Sequence, residues 1–496
     1  YTRWEYTDAP HYFSRLLFRM NPDGSGQMEY YGSNSYWPNA MYWPRPIPGH
    51  PTMVSCVVSG HHGVSRSGEL VLLDPAKGRH EAAGAVQKIP GWGKPVEAIT
   101  MDQLVLDSWP KFAAPWPLAE TGTHRGAGKY FLVSVQKDAM SAWDLCLVDI
   151  FDNITPILKG GYITPIPLQP RPQPPIIPSQ VDVAKTEATV YVADVYQGPG
   201  LKDFPRGSIK QLRIGSHHYR YAGNGDTAAS SLEGGWDVKK ILGTVPVLED
   251  GSALFHVPAN TPIFVQPLDA EGKSQQVMRS WFTAAPGEVI SCVGCHEQQN
   301  SGPPSKYSAA AMGRRPSPIE PWFGPARGFS FDREVQPLLD RRCVGCHNGQ
   351  PCRIGSETLA TIDLRAKRLR ADFAGPYSPA YVALQRYVRR PGYESDYHMP
   401  KPAEYEADTS PLVQMLKKGH YNVQLSGDEW QQLYAWIDFN VPYPANWRES
   451  HRPPQDIQVE RRAAYKERYA NLDDHDEDAL PLPPIGTFEP PAEAPA

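Results

Sequence analysis

Apolar positions in the first third of the chain fall in short continuous or alternating runs, at residues 53–58, 69–73, 130–135 and 145–150. Asn21-Pro22-Asp23-Gly24, Asp74-Pro75 and Gly91-Trp92-Gly93 punctuate them. Successive side chains of a strand point to opposite faces, so runs of this length between turn residues predict antiparallel β structure rather than helix. Residues 1–155 are therefore expected to form β-propeller-like blades, although four or so strands do not close a propeller by themselves. Prolines then crowd together (Pro165, Pro167, Pro170, Pro172, Pro174, Pro175, Pro178). They remove backbone donors and fix an extended chain, so residues 156–178 read as a semi-rigid linker.

Strand-like runs resume at 189–195, 208–214, 253–257 and 262–265, with Asp250-Gly251 as a turn, and predict a β-rich middle domain over residues 179–325. Beyond a Pro-rich spacer at 303–325 the period changes. Phe331, Val335, Leu338 and Leu339 share one face of a short helix over 331–339. Over 425–440, Ser426 with Glu429 three positions on forms a capping box, and Leu425 with Trp430 a hydrophobic staple. Trp430, Leu433, Tyr434 and Ile437 are the expected buried stripe of that helix. Residues 326–449 thus predict a small helical domain, and the charged, proline-rich stretch 450–496 an extended tail. The fold class is mainly β with a small α domain.

Two pentapeptides change the picture, Cys292-Val293-Gly294-Cys295-His296 and Cys343-Val344-Gly345-Cys346-His347. Two thiols spaced by two residues can add across the vinyl groups of a haem, and the adjoining histidine then lies under the iron as an axial ligand. From the chain's own Cys and His frequencies roughly 0.003 such pentapeptides are expected by accident, so chance does not account for two. Zinc half-sites or redox dithiols would also space thiols this way, but only Cys56, Cys146 and Cys352 remain as partners. The expectation is two covalently bound haems c, held by Cys292, Cys295, Cys343 and Cys346 with His296 and His347 on iron. Zinc or calcium has no comparable support.

A helix carrying C-x-x-C-H and a closing C-terminal helix are the two elements a cytochrome c packs over its haem, so the last domain reads as cytochrome-c-like. Its second axial ligand should come from between them, where His398, Met399 and His420 compete. His420 is favoured because it precedes the capped helix by about six residues. Bis-histidine ligation leaves no open position and, without a thioether, a low potential. For the first haem, Phe255, Phe264, Trp281 and Phe282 are candidate pocket walls, with ordinary core packing as the competing account. His256 and the His217-His218 pair are the nearest distal candidates. His61 and His62 could bind metal, but adjacent strand residues would point to opposite faces.

Proline (52 of 496 residues) and glycine (41) are abundant, which favours turns and strand edges over long helices. A net charge of −5 supplies no basic field for nucleic acid or an anionic membrane, and no run is long and apolar enough for a membrane-spanning segment. The chain opens at Tyr1 without a signal region, as a mature or partial chain would. Haem is joined to thiols on the oxidising side of bacterial membranes, so a periplasmic or cell-surface location is expected. There Cys56 and Cys146 could form a disulfide, with two buried free thiols as the alternative.

With the motifs and their flanks read, the chain resembles the hydrazine synthase alpha subunit family. The likeness runs through Arg3-Trp4-Glu5-Tyr6-Thr7-Asp8, Gly60-His61-His62-Gly63, Val247-Leu248-Glu249-Asp250-Gly251-Ser252-Ala253 and Val257-Pro258-Ala259-Asn260. It continues through Met278-Arg279-Ser280-Trp281, residues 291–297, and Ser410-Pro411-Leu412 through His420 to Trp436-Ile437-Asp438. The resemblance implies the later blades of a β-propeller, a middle domain with one haem, and a cytochrome-c-like domain whose haem is held by His347 and His420. In that family a tyrosine four positions after the first motif histidine takes the iron, and the histidine turns to zinc. This chain has Asn300 there, and an amide is a poor iron ligand, so His296 keeps the proximal role and hydrazine formation is not carried over.

The leading expectation is an exported dihaem cytochrome that passes electrons to other redox proteins or haem subunits within a larger complex. The alternative is a haem enzyme acting on a small nitrogen or oxygen species at the first haem, fed by the second. A third reading makes the β domains a surface for a protein partner.

Overall fold

The structure, a computed structural model, describes residues 1–4, 15–62, 66–119, 128–168, 173, 175–223, 230–232, 235–296, 302, 309–354, 356–366, 377–392, 395–396, 398–481 and 483. It is mainly β with few helices. Among the described residues no sheet closes into a barrel. Two compact units divide the chain, residues 1–179 with 396–399, and residues 180–395 with 400–496.

In the first unit the strands Thr2–Trp4, Arg15–Arg19, Ala40–Pro46, Val54–Ser59, Glu69–Leu73 and Ala85–Ile89 follow one another across one sheet, and Met28–Tyr31 also pairs with Arg15–Arg19. A second sheet runs Ile154–Leu158, Trp143–Asp149, Tyr130–Gln136, Lys111–Pro117, all antiparallel. Every residue of Val54–Ser59 is buried, so this strand is covered on both faces. Its alternation feeds two apolar clusters. Val57 joins Leu70, Phe112, Phe131 and Cys146, whereas Cys56 and Val58 join Leu17, Tyr31, Trp37 and Val71.

That separation decides the cysteine question. Cys56 and Cys146 lie in different clusters and are free thiols, not a disulfide. Burial pushes Cys56 up to about 12 and Cys146 up to about 11, so neither ionises to react near neutral pH. His61 and His62 also differ from expectation. They follow the strand in a bend, with ring centroids 4.0 Å apart rather than on opposite faces. His61 Nδ1 meets Arg15 Nη1 at 2.9 Å, and His62 Nδ1 meets Asp102 Oδ2 at 2.8 Å. Gly63 lies outside the described residues.

In the second unit a three-stranded sheet places Glu187–Val192 between Ala253–Pro258, antiparallel, and Val289–Cys292, parallel. A four-stranded sheet runs Ile263–Leu268, Gln211–His218, Val238–Pro246, Arg327–Gly328. Phe255 is fully buried among Val190, Ile214 and Val257, while Phe264 turns to a different core with Phe329 and Phe439. Phe264 is thus ordinary packing, and Trp281 rests on Tyr219 at 5.5 Å.

Among the described residues, five α-helices complete this unit: α1 (Gln336–Arg342), α2 (Pro379–Leu384), α3 (Pro411–Lys418), α4 (Gly427–Asp438) and α5 (Asp456–Ala470). A single wide turn, Phe331–Val335, precedes α1, and Phe331, Val335, Leu338 and Leu339 are all buried on one face. Ser426 and Glu429 form the capping box of α4, whose Leu433, Tyr434 and Ile437 are buried, with Trp430 only half-buried. Where charge and proline predict an extended arm, α5 forms with a Gln455–Gln458 capping box. No residue of α5 is buried.

Candidate functional site

The second C-x-x-C-H motif begins where α1 ends. Cys343 and Val344 both donate backbone hydrogen bonds to the Leu339 carbonyl, and the amides of Cys346 and His347 donate to the Cys343 carbonyl. This turn holds both thiols and the imidazole against one apolar cavity of about 330 Å³, large enough for a sizeable flat ligand. Leu338, Leu339, Leu364, Leu412, Met415 and Leu433 line it together with Cys343, Cys346, His347 and His420. Burial pushes the Cys343 thiol up to about 12, and Cys346 is raised by burial with the Cys352 thiol beside it.

His420 reaches this cavity from the loop between α3 and α4. Gly419 ends α3 with a positive φ of 104°, and the Val423 amide closes back onto the His420 carbonyl at 2.9 Å. The imidazoles of His347 and His420 have centroids 6.0 Å apart and planes within 27°. Two metal–nitrogen bonds of about 2 Å, with roughly 1.1 Å from each bonding nitrogen to its ring centre, require a separation near 6 Å. Burial, and for His347 also the facing His420, lowers both pKa values, which keeps the rings neutral and their nitrogen lone pairs open to a metal. The thiols, the apolar walls and the paired imidazoles fit a c-type haem.

One carboxylate fixes the elements that carry the two sides. Glu429, 4% exposed, accepts from the Ser426 amide and meets Arg341 and Arg342 at 3.1–3.2 Å. Despite burial, these partners hold it below the usual glutamate range. The start of α4 is thereby pinned to the end of α1, next to Cys343.

Of the competing axial residues, His420 lines the cavity and Met399 and His398 do not. Both of the latter belong to the first compact unit. Met415, on α3, lines the cavity and was missed by sequence reasoning, although its i, i+3 relation to Leu412 put it on that helix's apolar face.

The first motif is built differently. Cys292 ends the parallel strand Val289–Cys292, opposite Val192, and the amides of Ala193, Asp194 and Cys295 tie residues 292–295 to the segment 193–195. This loop is packed so closely that a Cβ on Gly294 would stand 2.2 Å from the Gln197 carbonyl oxygen, and one on Gly200 2.1 Å from that of Cys295. Cys292 and Cys295 are half-buried against the cluster of Val190, Leu201 and Phe255, and Phe282 packs on the same cluster. His296 is exposed with φ of 59°. The distal candidates have other partners: His218 meets Glu477 at 2.6 Å, His217 lies 3.9 Å from Asp237, and His256 is 3.4 Å from Thr189. Asn300 lies outside the described residues.

The class this defines is a mainly β protein that carries one C-x-x-C-H motif on a sheet edge and a second beneath a small helical cap. Residues 207–297 match the family described as the hydrazine synthase alpha subunit middle domain. Hydrazine synthase subunit alpha of Kuenenia stuttgartiensis is 23% identical over 337 residues, an alignment covering 50% of this chain and 40% of that one. The solved hydrazine synthase of the same organism has the same fold over 88% of this chain and 67% of its own, with a TM-score of 0.59 at 16% identity. The chain is hydrazine synthase alpha-like, and it spans 40% of the length of the relative it matches.

Proposed function

We propose that the chain is an exported dihaem c-type cytochrome that transfers electrons as a subunit of a larger redox complex. The observation that carries this is the pair of neutral imidazoles, His347 and His420, 6.0 Å apart across an apolar cavity bordered by Cys343 and Cys346. Covalently bound haem c would supply a one-electron iron couple there. Cys343 and Cys346 would anchor the group, His347 and His420 would hold its iron, and the leucines of α1, α3 and α4 would exclude water. Residues 1–155 act as propeller-like blades and Cys292, Cys295 and His296 hold the first haem. Location in the periplasm or at the cell surface follows from where thiol–haem bonds are made, and likeness to a synthase subunit supports membership of a multi-subunit assembly. No described helix is long and apolar enough to cross a membrane.

A second reading, an enzyme acting on a small nitrogen or oxygen species, is favoured by the exposure of His296 at the first motif. Absorption spectra of the reduced holoprotein with and without carbon monoxide test both. The relay reading expects two haems retained after acid-acetone extraction and no carbon monoxide shift. A shift from one of the two haems supports the enzyme reading, and loss of either haem on extraction overturns the covalent assignment.

A further inference from the structure

Within the first compact unit, His80, Glu81 and His398 each present one ligand atom, and these atoms lie within 4.8 Å of one another. We propose that these three residues bind a divalent transition cation of the zinc type, at a site separate from both C-x-x-C-H motifs.

The separations favour a metal over a simple ion pair. His398 Nε2 stands 3.4 Å from Glu81 Oε1, long for a charge-assisted hydrogen bond, which prefers about 2.7–2.9 Å. Ligands on a tetrahedron with bonds of about 2.0–2.1 Å are about 3.3 Å apart. The His80 and His398 rings are 5.7 Å apart at 31°, so both imidazoles flank the same carboxylate. Two imidazoles and one carboxylate suit zinc-like cations, and three protein ligands leave a fourth position for water.

The surrounding groups hold the ligands in place. Asp396 Oδ1 lies 3.0 Å from His398 Nδ1, which directs the opposite nitrogen, Nε2, towards Glu81. Carboxylate–histidine pairs of this kind orient metal-bound imidazoles and raise their basicity. Asp396 is itself fixed by the Tyr36 hydroxyl at 3.0 Å, and the Tyr36 ring meets His398 edge-on at 4.9 Å. The two oxygens of Glu81 accept from the amides of Tyr36 and Trp37, each at 2.9 Å, so the carboxylate cannot rotate freely. Glu81 also takes a positive φ of 48°, a region that L side chains rarely adopt, and such strain collects at binding sites. Glu81 and Asp396 thus place two carboxylates at and beside the site, which a dication would offset.

The test uses the full-length holoprotein stripped with chelator, dialysed and titrated with zinc chloride, with metal content read against haem iron by plasma mass spectrometry. One zinc per chain is expected, with a zinc-edge X-ray absorption spectrum showing two imidazoles and oxygen in the first shell. His398→Ala and Glu81→Gln should each weaken binding at least tenfold, and Asp396→Asn about tenfold, with the haem spectrum unchanged. Should His398→Ala fail to fold, Glu81→Gln and the wild-type absorption spectrum still decide. Zinc retained undiminished in a His80→Ala/His398→Ala variant, an absorption edge without imidazole, or no bound zinc would each overturn the site.

Discussion

Arg213 and Asp438 form an ion pair at 3.3 Å with side chains 1% and 0% exposed, joining the strand Gln211–His218 to the last residue of α4. Asp438 also accepts from the amides of Ser274 and Ala407, and Glu406 stands beside it, equally buried. Burial outweighs the guanidinium and raises Asp438 to about 6. Burial, and then the neighbouring Asp438, raises Glu406 well above the usual range. One cation is thus shared by two carboxyls, and the pair keeps a proton that the unfolded chain gives up near pH 4.

The folded chain therefore binds more protons than the unfolded one as pH rises from about 4 through 6 and beyond, and this cluster loses stabilising effect over that interval. Glu406→Gln is neutral at every pH. In denaturant unfolding it should gain on the wild type between pH 5 and pH 8, by on the order of 1–3 kcal/mol. A difference between the two proteins that does not vary with pH would contradict the shared proton.

Glu429→Ala removes the reciprocal half of the α4 cap and the common partner of Arg341 and Arg342. Both arginines reach solvent, so the loss should be moderate, about 2 kcal/mol, with Ser426→Ala costing about 1 kcal/mol. Thermal or denaturant unfolding followed by far-ultraviolet dichroism measures both.

His420→Ala should leave the second haem attached through Cys343 and Cys346 while its spectrum changes from low-spin to high-spin or to a substitute ligand. Met399→Ala and Met415→Ala should leave it low-spin. Electron paramagnetic resonance at low temperature separates these outcomes, and a change on Met415→Ala instead would reassign the axial position.

Gly294→Ala should disturb the first motif selectively, because its Cβ would meet backbone, the Gln197 and Asp194 carbonyls, rather than a side chain that can move aside. Overpacking of this kind costs about 1–3 kcal/mol. Mass spectrometry of the purified protein should show chains with one haem fewer than the wild type, and full attachment would argue against so tight a loop.

The elements legible in sequence were those with clean periodicity. Glu69–Leu73 and the capping box at Ser426 read directly from residue type. The strands Ala40–Pro46 and Lys111–Pro117 were hidden by their prolines, which the sheet accommodates beside register shifts at Tyr42/Arg45 and Ala113/Trp116. Val238–Pro246 was obscured by Gly243, whose φ of 146° lets the Glu320 carbonyl approach where a Cβ would clash. Helix α5 escaped because it buries no residue and so shows no apolar stripe. At the site, spacing reveals the thiols and their adjoining histidines, and loop order singles out His420. His80 and His398 are 318 positions apart, and nothing local to either points to the other.

The Arg213–Asp438 contact also bears on modularity. Gln266 donates to the Asp438 carbonyl, Lys239 to that of Phe439, and Phe264 packs against Phe439 at 5.4 Å. A fragment excised after residue 325 would expose Phe439 and leave a carboxylate without its cation, so the helical cap is not a cassette that can be shuffled between proteins. Recombination within this lineage should exchange the sheet and the cap together, and lengths of chain that separate Arg213 from Asp438 should be recovered only as insoluble material.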